Sequence, residues 1–384
     1  MVLFLHNRYR TGGGEERVVA ELMALVRERL GEPAELLSRD SATSGRIGAA
    51  AGLLRGGLEP REVASAVRLG RARVVHAHNL HPAFGWRALA AARAEGARIV
   101  LHLHQYRLVC AIGVCFTAGA ECTRCHARNT LPGVRRNCRG SVPEAAAYGA
   151  ALALWQRRLV EQADAVIVPS VFARERLREL GAPLRWDDVH VLAPPVRAPP
   201  DAIATATADG GPARGDYALL VSRLSPEKGV DVAIDACRLA GIALVVAGDG
   251  PERAALEARA EGATVSFLGH VGDGELARLR AGAALALAPS RSAETFGPAA
   301  IASAAAGLPV LASDIGALPE LLGADALVAP GDVAALAGAI ERLAGDRRAG
   351  VENRRRVEAR CAPDVVAAAL AAVYGPPRDG ALST

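Results

Sequence analysis

The sequence predicts two doubly wound α/β domains, and three observations carry the prediction. Short apolar runs ending in Gly, His, Asn, Ser or Asp alternate with Ala/Leu/Arg-rich stretches of helical spacing along the chain. Its 384 residues are enough for two domains of ordinary size, each burying its own core. Between the halves, LAPPVRAPPDAIATATADGGPARGD at 192–216 has the Pro, Gly, Ala and Thr content of a linker. We place an N-terminal Rossmann-like domain at 1–196, the linker proper at 197–215 and a C-terminal Rossmann-like domain at 216–360. Residues 361–384 are expected to form a helix packing back on the N-terminal domain. Alternating strands and helices imply parallel sheets covered on both faces. Ligands in this architecture sit at the carboxyl ends of the strands, here in a central cleft that the two domains face.

Composition narrows the function. With 51% hydrophobic residues, 22% charged and a net charge of +4, the chain reads as globular rather than disordered or nucleic-acid-binding. Its dispersed arginines suit at most an anionic substrate. No apolar run is long enough for a transmembrane segment, and the opening MVLFL gives way at once to HNRYR, too short for a signal sequence. A cytoplasmic protein is expected.

In the first half, VLFLH, ARVVHAH, RIVLHLH and AVIVPS read as strands. The first runs into Gly12, Gly13 and Gly14 before a helix, which permits close backbone approach to a ligand or makes a flexible turn. HAHNLHP supplies His76, His78, Asn79 and His81, and period-two alternation puts His102 and His104 on one face of the next strand. A zinc site is one reading of these imidazoles, although no HExxH pattern and no acidic ligand accompany them; core histidines are the other. His78, Asn79 and Tyr106 are candidates for acceptor contacts.

Residues 105–140 form an insert with little apolar periodicity. Five of the seven cysteines fall there, and Cys110, Cys122, Cys125 and Cys138 are spaced C-x11-C-x2-C-x12-C. A structural zinc is the preferred reading, with Cys115 able to replace one ligand. Unligated thiols and, through CTRCH, a haem attachment are the alternatives. Folded over the cleft, the insert would shape the acceptor pocket.

In the second half YALLVS, ALVVAGDG, TVSFLG, ALALAPS and PVLAS read as strands. The first ends in SRLSPEKG, whose Arg223 and Lys228 suit a diphosphate, one as a planar fork and the other as a point charge. AGDGPER brings Gly248 and Gly250, for a ligand or a tight turn. In SRSAETFGP, Thr295, Phe296 and Gly297 lie where helix-end amides point outward, and Pro298 occupies the first helical position. Such an end binds phosphate, whereas Glu294 beside it suits sugar hydroxyls or, more simply, the helix dipole. With no Asp-x-Asp pair in the chain to hold a divalent ion, Arg223, Lys228 and the helix end are left to neutralise a diphosphate.

The order GGGEE, LHLHQY, SRLSPEKG, AGDGPER, FLGHV, AETFG and AAGLPVLASDIGALPELL resembles glycosyltransferase family 4, retaining nucleotide-sugar enzymes of GT-B fold. HQYRLVC with its later cysteines further resembles a bacterial subgroup of that family. The resemblance implies that Gly13 and Gly14 lie against the donor diphosphate, that His104 contacts the donor sugar and that Arg223 and Lys228 bind the diphosphate. It also implies that Val271 contacts the base, that Glu294 holds hexose hydroxyls and that Phe296 and Gly297 donate amides; Gly248 and Thr295, from the turn and the helix end above, are added as donor-binding candidates. The family pattern carries a second glutamate eight positions after the first, generally at the nucleotide ribose; here that position is Ala302.

The expected function is retaining transfer of a hexosyl unit from a nucleoside diphosphate sugar, UDP-linked slightly ahead of others, to a hydroxylated small molecule or glycan. His104, Glu294, Arg223 and Lys228 form the expected catalytic set, and no cofactor is required apart from the possible zinc. Cyclitol coupling by a pseudo-glycosyltransferase and a catalytically silent sugar-nucleotide-binding subunit are the rivals.

Overall fold

The computed structural model describes residues 1–8, 13–40, 45–197 and 215–376. The expected linker at 197–215 falls almost wholly outside the described residues, as does Gly12. The chain divides into two compact units: Met1–Cys115, Cys122–Pro195 and Pro363–Thr384 form the first, and Phe116–Glu121 with Val196–Ala362 the second.

The first unit holds strands β1 (Val2–Arg8), β2 (Ala34–Asp40), β3 (Val74–Ala77) and β4 (Arg98–His102). A two-stranded hairpin assigned to the second unit, β5 (Phe116–Thr117) and β6 (Ala120–Glu121), precedes β7 (Ala165–Val168) and β8 (Val189–Val191) of the first. The six-stranded parallel sheet runs β2-β1-β3-β4-β7-β8. Alternation along β1 explains its two coats. Leu3 and Leu5 join Val75, Ile99 and Leu101 under helices Pro60–Gly70, Gly85–Ala94 and Val142–Glu161. Val2 and Phe4 join Val74, Val100 and Ile167 under Gly14–Arg29 and Pro363–Tyr374. This last helix is fastened at its end: the guanidinium of Arg98 donates to Val373 O at 3.0 Å, and that of Arg73 to Tyr374 O and Gly375 O at 3.2 and 3.1 Å.

The second unit holds β9 (Tyr217–Val221), β10 (Ala243–Ala247), β11 (Val265–Gly269), β12 (Leu285–Ala288), β13 (Val310–Ser313) and β14 (Leu327–Val328). They form a parallel sheet in the order β11-β10-β9-β12-β13-β14. Leu220, Leu244, Val246, Leu285, Leu287 and Leu311 pack against Val230, Ile234, Leu336 and Ile340 of helices Val230–Ala240 and Val333–Leu343.

Strand order reverses direction between β1 and β3 in the first sheet and between β9 and β12 in the second. Loops leaving the carboxyl ends of such neighbouring strands splay apart and open a crevice. The histidine and glycine segments leave β1 and β3; the SRLSPEKG and SRSAETFG segments leave β9 and β12. No helix among the described residues is long and apolar enough to cross a membrane.

Candidate functional site

In the second unit the two loops meet through charge. Lys228 Nζ lies 3.0 Å from Glu294 Oε1, and the Ser290 hydroxyl donates to the same oxygen. The backbone of Glu294 is held as well, since Ala317 N donates to its carbonyl at 2.9 Å. Arg223 donates to Glu227 Oε1 at 2.8 Å, and Ser225 Oγ donates there at 2.7 Å. Glu227 is 7% exposed. Its burial pushes the carboxyl pKa up, but hydrogen bonds from Ser225 and Arg223 outweigh this and hold it below the ordinary range. The backbone of Glu227 in turn accepts from Arg291 N at 2.8 Å, tying the loop after β9 to the loop after β12. Lys228 and Glu294 are thereby placed beside the start of helix Pro298–Ala305, whose cap is Gly297. Phe296 is buried, Thr295 half-buried, and Val271 half-buried ahead of helix Asp273–Gly282.

Ser290 and Glu227 are the residues that sequence reasoning missed. Both carried a signal: Ser290 ends a strand four residues before Glu294, and Glu227 stands between the two predicted cations.

The glycines separate. Gly248 has φ of +144°, and a Cβ there would collide with the Ser222 carbonyl, so backbone packing accounts for it without a ligand. Gly13 has φ of −145° and a Cβ would meet nothing nearer than Glu16 Oε2 at 3.5 Å. The described chain itself does not need glycine at 13. Its N–H donates to Glu16 Oε2 at 2.8 Å ahead of helix Gly14–Arg29.

In the first unit the three residues assigned to the acceptor are buried. His78, Asn79 and Tyr106 are 3%, 8% and 1% exposed. Asn79 clamps strand ends, its Nδ2 donating to Asn7 O at 2.7 Å, while Tyr106 lies in the core beneath the sheet. His78 is engaged with His104, their Nδ1 and Nε2 being 2.7 Å apart. His104 itself stacks on His102 with ring centroids 4.1 Å apart, as the period-two reading expects.

Among the described residues, the grouping of three or more potential ligands with donor atoms all within 4.8 Å is His76, His78 and His102. Ring nitrogens of all three are engaged in hydrogen bonds, His76 with His102 and Tyr374 and His78 with His104. His76 Nε2 and His102 Nδ1 face each other at 3.1 Å in rings inclined by 9°, while His76 and His78 stack with centroids 4.5 Å apart. Lone pairs lie in the ring planes, so this is a hydrogen-bonded stack rather than a coordination shell. Cys110, Cys122, Cys125 and Cys138 do not appear in such a shell either. Cys110 hydrogen-bonds to Cys115, which holds its thiol down at about 6. Burial pushes Cys125 up to about 11, with Cys110, Cys138 and Cys122 close enough to add to it. The thiols thus share one neighbourhood without closing around one point, and all are free of disulfides.

A GT-B architecture is what two such parallel-sheet units define. Residues 13–195 match the family described as "Glycosyl transferase 4-like domain" and residues 215–346 that described as "Glycosyl transferases group 1". The chain belongs to glycosyltransferase family 4. It is similar to the GDP-mannose-dependent alpha-(1-6)-phosphatidylinositol dimannoside mannosyltransferase of Mycobacterium tuberculosis, 46% identical over 109 residues covering 27% of this chain and 28% of that protein. Glycogen synthase of M. tuberculosis is 34% identical over 232 residues, 56% of this chain and 55% of that one. The match therefore spans about a quarter of the first relative's length and about half of the second's. Among solved structures, sucrose-phosphate synthase from Thermosynechococcus elongatus superposes with a TM-score of 0.67 at 19% identity, covering 97% of this chain and 98% of that one. Anabaena HepE, solved in complex with UDP and glucose, gives 0.63 at 19% identity over 97% and 98%.

Proposed function

We propose that the protein transfers a hexosyl unit, with retention, from a nucleoside diphosphate sugar to a hydroxylated acceptor by front-face displacement. The observation that carries this reading is the Lys228–Glu294 pair, delivered by two switch-point loops beside a helix N-terminus. Without donor the two charges neutralise each other. With donor, Lys228 turns to the diphosphate and releases Glu294 to accept hydrogen bonds from sugar hydroxyls. Lys228, Arg223 and the amides at Thr295–Gly297 stabilise the leaving diphosphate, whose oxygen takes the acceptor proton. Gly13 supports close approach of the diphosphate and His104 contacts the sugar. No cofactor takes part.

Its relatives support a nucleotide-linked donor: one is named for GDP-mannose, and HepE was solved with UDP. A thermal-shift screen of UDP, GDP, ADP and TDP sugars tests the reading. A ligand at about 100 times its Kd stabilises by about 2.7 kcal/mol, enough to move a melting curve by a few degrees. We expect one base to stand out and the matching sugar nucleotide to be turned over. Flat curves for all four would remove the donor assignment. Ala302 favours a second reading, a subunit that binds the donor without turning it over; transfer or donor hydrolysis by the purified chain excludes it.

A structural zinc on Cys110, Cys122, Cys125 and Cys138 belongs to the same proposal, supported by their spacing and shared neighbourhood. The expected outcome is one zinc per chain after purification without a metal column, with a lower Tm on chelation. A folded, metal-free chain would overturn it.

Arg223→Ala is expected to lower kcat/KM by about tenfold, less than loss of Lys228, because its side chain is 60% exposed and shared with Glu227. Steady-state kinetics with the preferred donor check this.

A further inference from the structure

Four imidazoles in the first unit stack into one array, and their hydrogen bonds fix where the protons sit. His78 Nδ1 lies 2.7 Å from His104 Nε2, His76 Nε2 lies 3.1 Å from His102 Nδ1, and His76 Nδ1 lies 2.7 Å from the Tyr374 hydroxyl. Burial is the main influence on all four rings and holds each below its ordinary pKa, His76 at about 3. Around His104, Glu15 and Glu16 pull the other way and His6 adds to the lowering. Near neutral pH each ring therefore carries a single proton, on one of its two nitrogens.

His78 Nε2 is buried and has no hydrogen-bond partner among the described residues. A proton on that atom would make an orphaned buried N–H, a rarer defect in folded proteins than an acceptor left unfilled. The proton of His78 therefore belongs on Nδ1, where it is donated to His104 Nε2. An acceptor at Nε2 leaves His104 with its own proton on Nδ1. The same reasoning applies deeper in the array. His102 Nε2 also lacks a partner among the described residues, so His102 Nδ1 donates to His76 Nε2, and His76 Nδ1 donates to the Tyr374 oxygen. Stacking against His102 at 4.1 Å and His78 at 5.1 Å holds the His104 ring plane.

We propose that His78 is a positioning residue that holds His104 as its Nδ1–H tautomer, so that His104 meets the donor sugar as a hydrogen-bond donor from Nδ1. This rests on the reading of His104 as a donor-sugar contact. The sugar has to be held in register for displacement while the negative charge passes to the leaving diphosphate, and the tautomer decides whether His104 offers a sugar oxygen an N–H or a lone pair.

The test is long-range 1H–15N correlation on the full chain labelled with 15N-histidine, which reads each tautomer directly, combined with kinetics of two variants. In His78→Asn, Nδ2 takes the place of the ring Nδ1 and can donate to His104. In His78→Phe the ring remains and the donor is lost. We expect His104 to show its proton on Nδ1 in the wild type. His78→Phe should move that proton to Nε2, in whole or in part, and lower kcat roughly 10- to 100-fold, the range for removing a residue that orients a functional histidine. Nucleotide Kd should stay within about twofold, because His78 is not among the proposed diphosphate contacts. His78→Asn should recover most of the rate. A wild-type His104 protonated at Nε2 overturns the proposal without any variant, and so does a His78→Phe protein with a changed tautomer and wild-type kcat. A wild type that transfers no sugar removes the glycosyl-transfer reading itself, and the catalytic half of this one with it, whichever tautomer is seen.

Discussion

Lys228→Ala is expected to lower kcat/KM by roughly 10²- to 10³-fold, the range seen when one fixed donor to a developing negative charge is removed. The leaving diphosphate gains charge as the anomeric bond breaks, so a cation on it stabilises the transition state more than the bound donor. Most of the loss should therefore appear in kcat. Position makes Lys228 the stronger of the two cations. Its side chain is 26% exposed and touches Glu294, whereas Arg223 is 60% exposed and turned towards Glu227. The variant has one side effect that must be separated. It removes the ammonium facing Glu294, whose side chain is 13% exposed, and leaves the carboxylate with Ser290. Adding Glu294→Gln relieves that stranded charge, so a double-mutant cycle in Tm and in kcat/KM apportions the effect. If Lys228→Ala keeps its rate, the diphosphate is neutralised elsewhere and the donor pose is wrong.

The alternation of strands and helices was legible because central strands of a parallel sheet are buried on both faces and must be apolar throughout, as VLFL, IVL and AVIV are. The strands that escaped sequence reasoning lie at sheet edges. Ala34–Asp40 reads AELLSRD with Leu36 exposed, and Val189–Val191 and Leu327–Val328 are too short for a pattern. The charged half of the site was equally legible, since Arg223, Lys228 and Glu294 each follow a strand end. The histidines were not. Period-two alternation puts His76 and His78 on one face but does not say which face is covered. Its cover includes Tyr374, about 300 residues away in sequence, and no local signal reports a contact of that separation. For the same reason Gly248 and Gly13 look alike as letters, and only the Ser222 carbonyl beside one of them separates a packing glycine from one available to a ligand.

Ala302→Glu is expected to tighten nucleotide binding by one to two powers of ten. The reasoning starts from the helix Pro298–Ala305, whose buried face is Ala300, Ile301, Ser303, Ala304 and Ala305. Ala302 is half-buried and shares a face with exposed Pro298 four residues earlier, so a longer side chain there leaves the core undisturbed. Glutamate is also a good helix former, and the exchange from alanine costs a few tenths of a kcal/mol at most. If the donor lies across this helix end as proposed, a carboxylate at 302 gives its ribose hydroxyls a charged acceptor, and such hydrogen bonds contribute about 1.5–3 kcal/mol. That energy corresponds to roughly one to two decades in Kd. Ser303 does not supply the same contact already. It is 1% exposed, its hydroxyl donates to Ala299 O at 3.0 Å, and the buried Arg280 approaches its oxygen at 3.4 Å. Calorimetric titration of both proteins with the preferred nucleotide reads the difference directly. Equal or weaker binding by Ala302→Glu would place the ribose away from this helix, and with it Glu294 would lose its assigned sugar, because both contacts depend on one donor orientation.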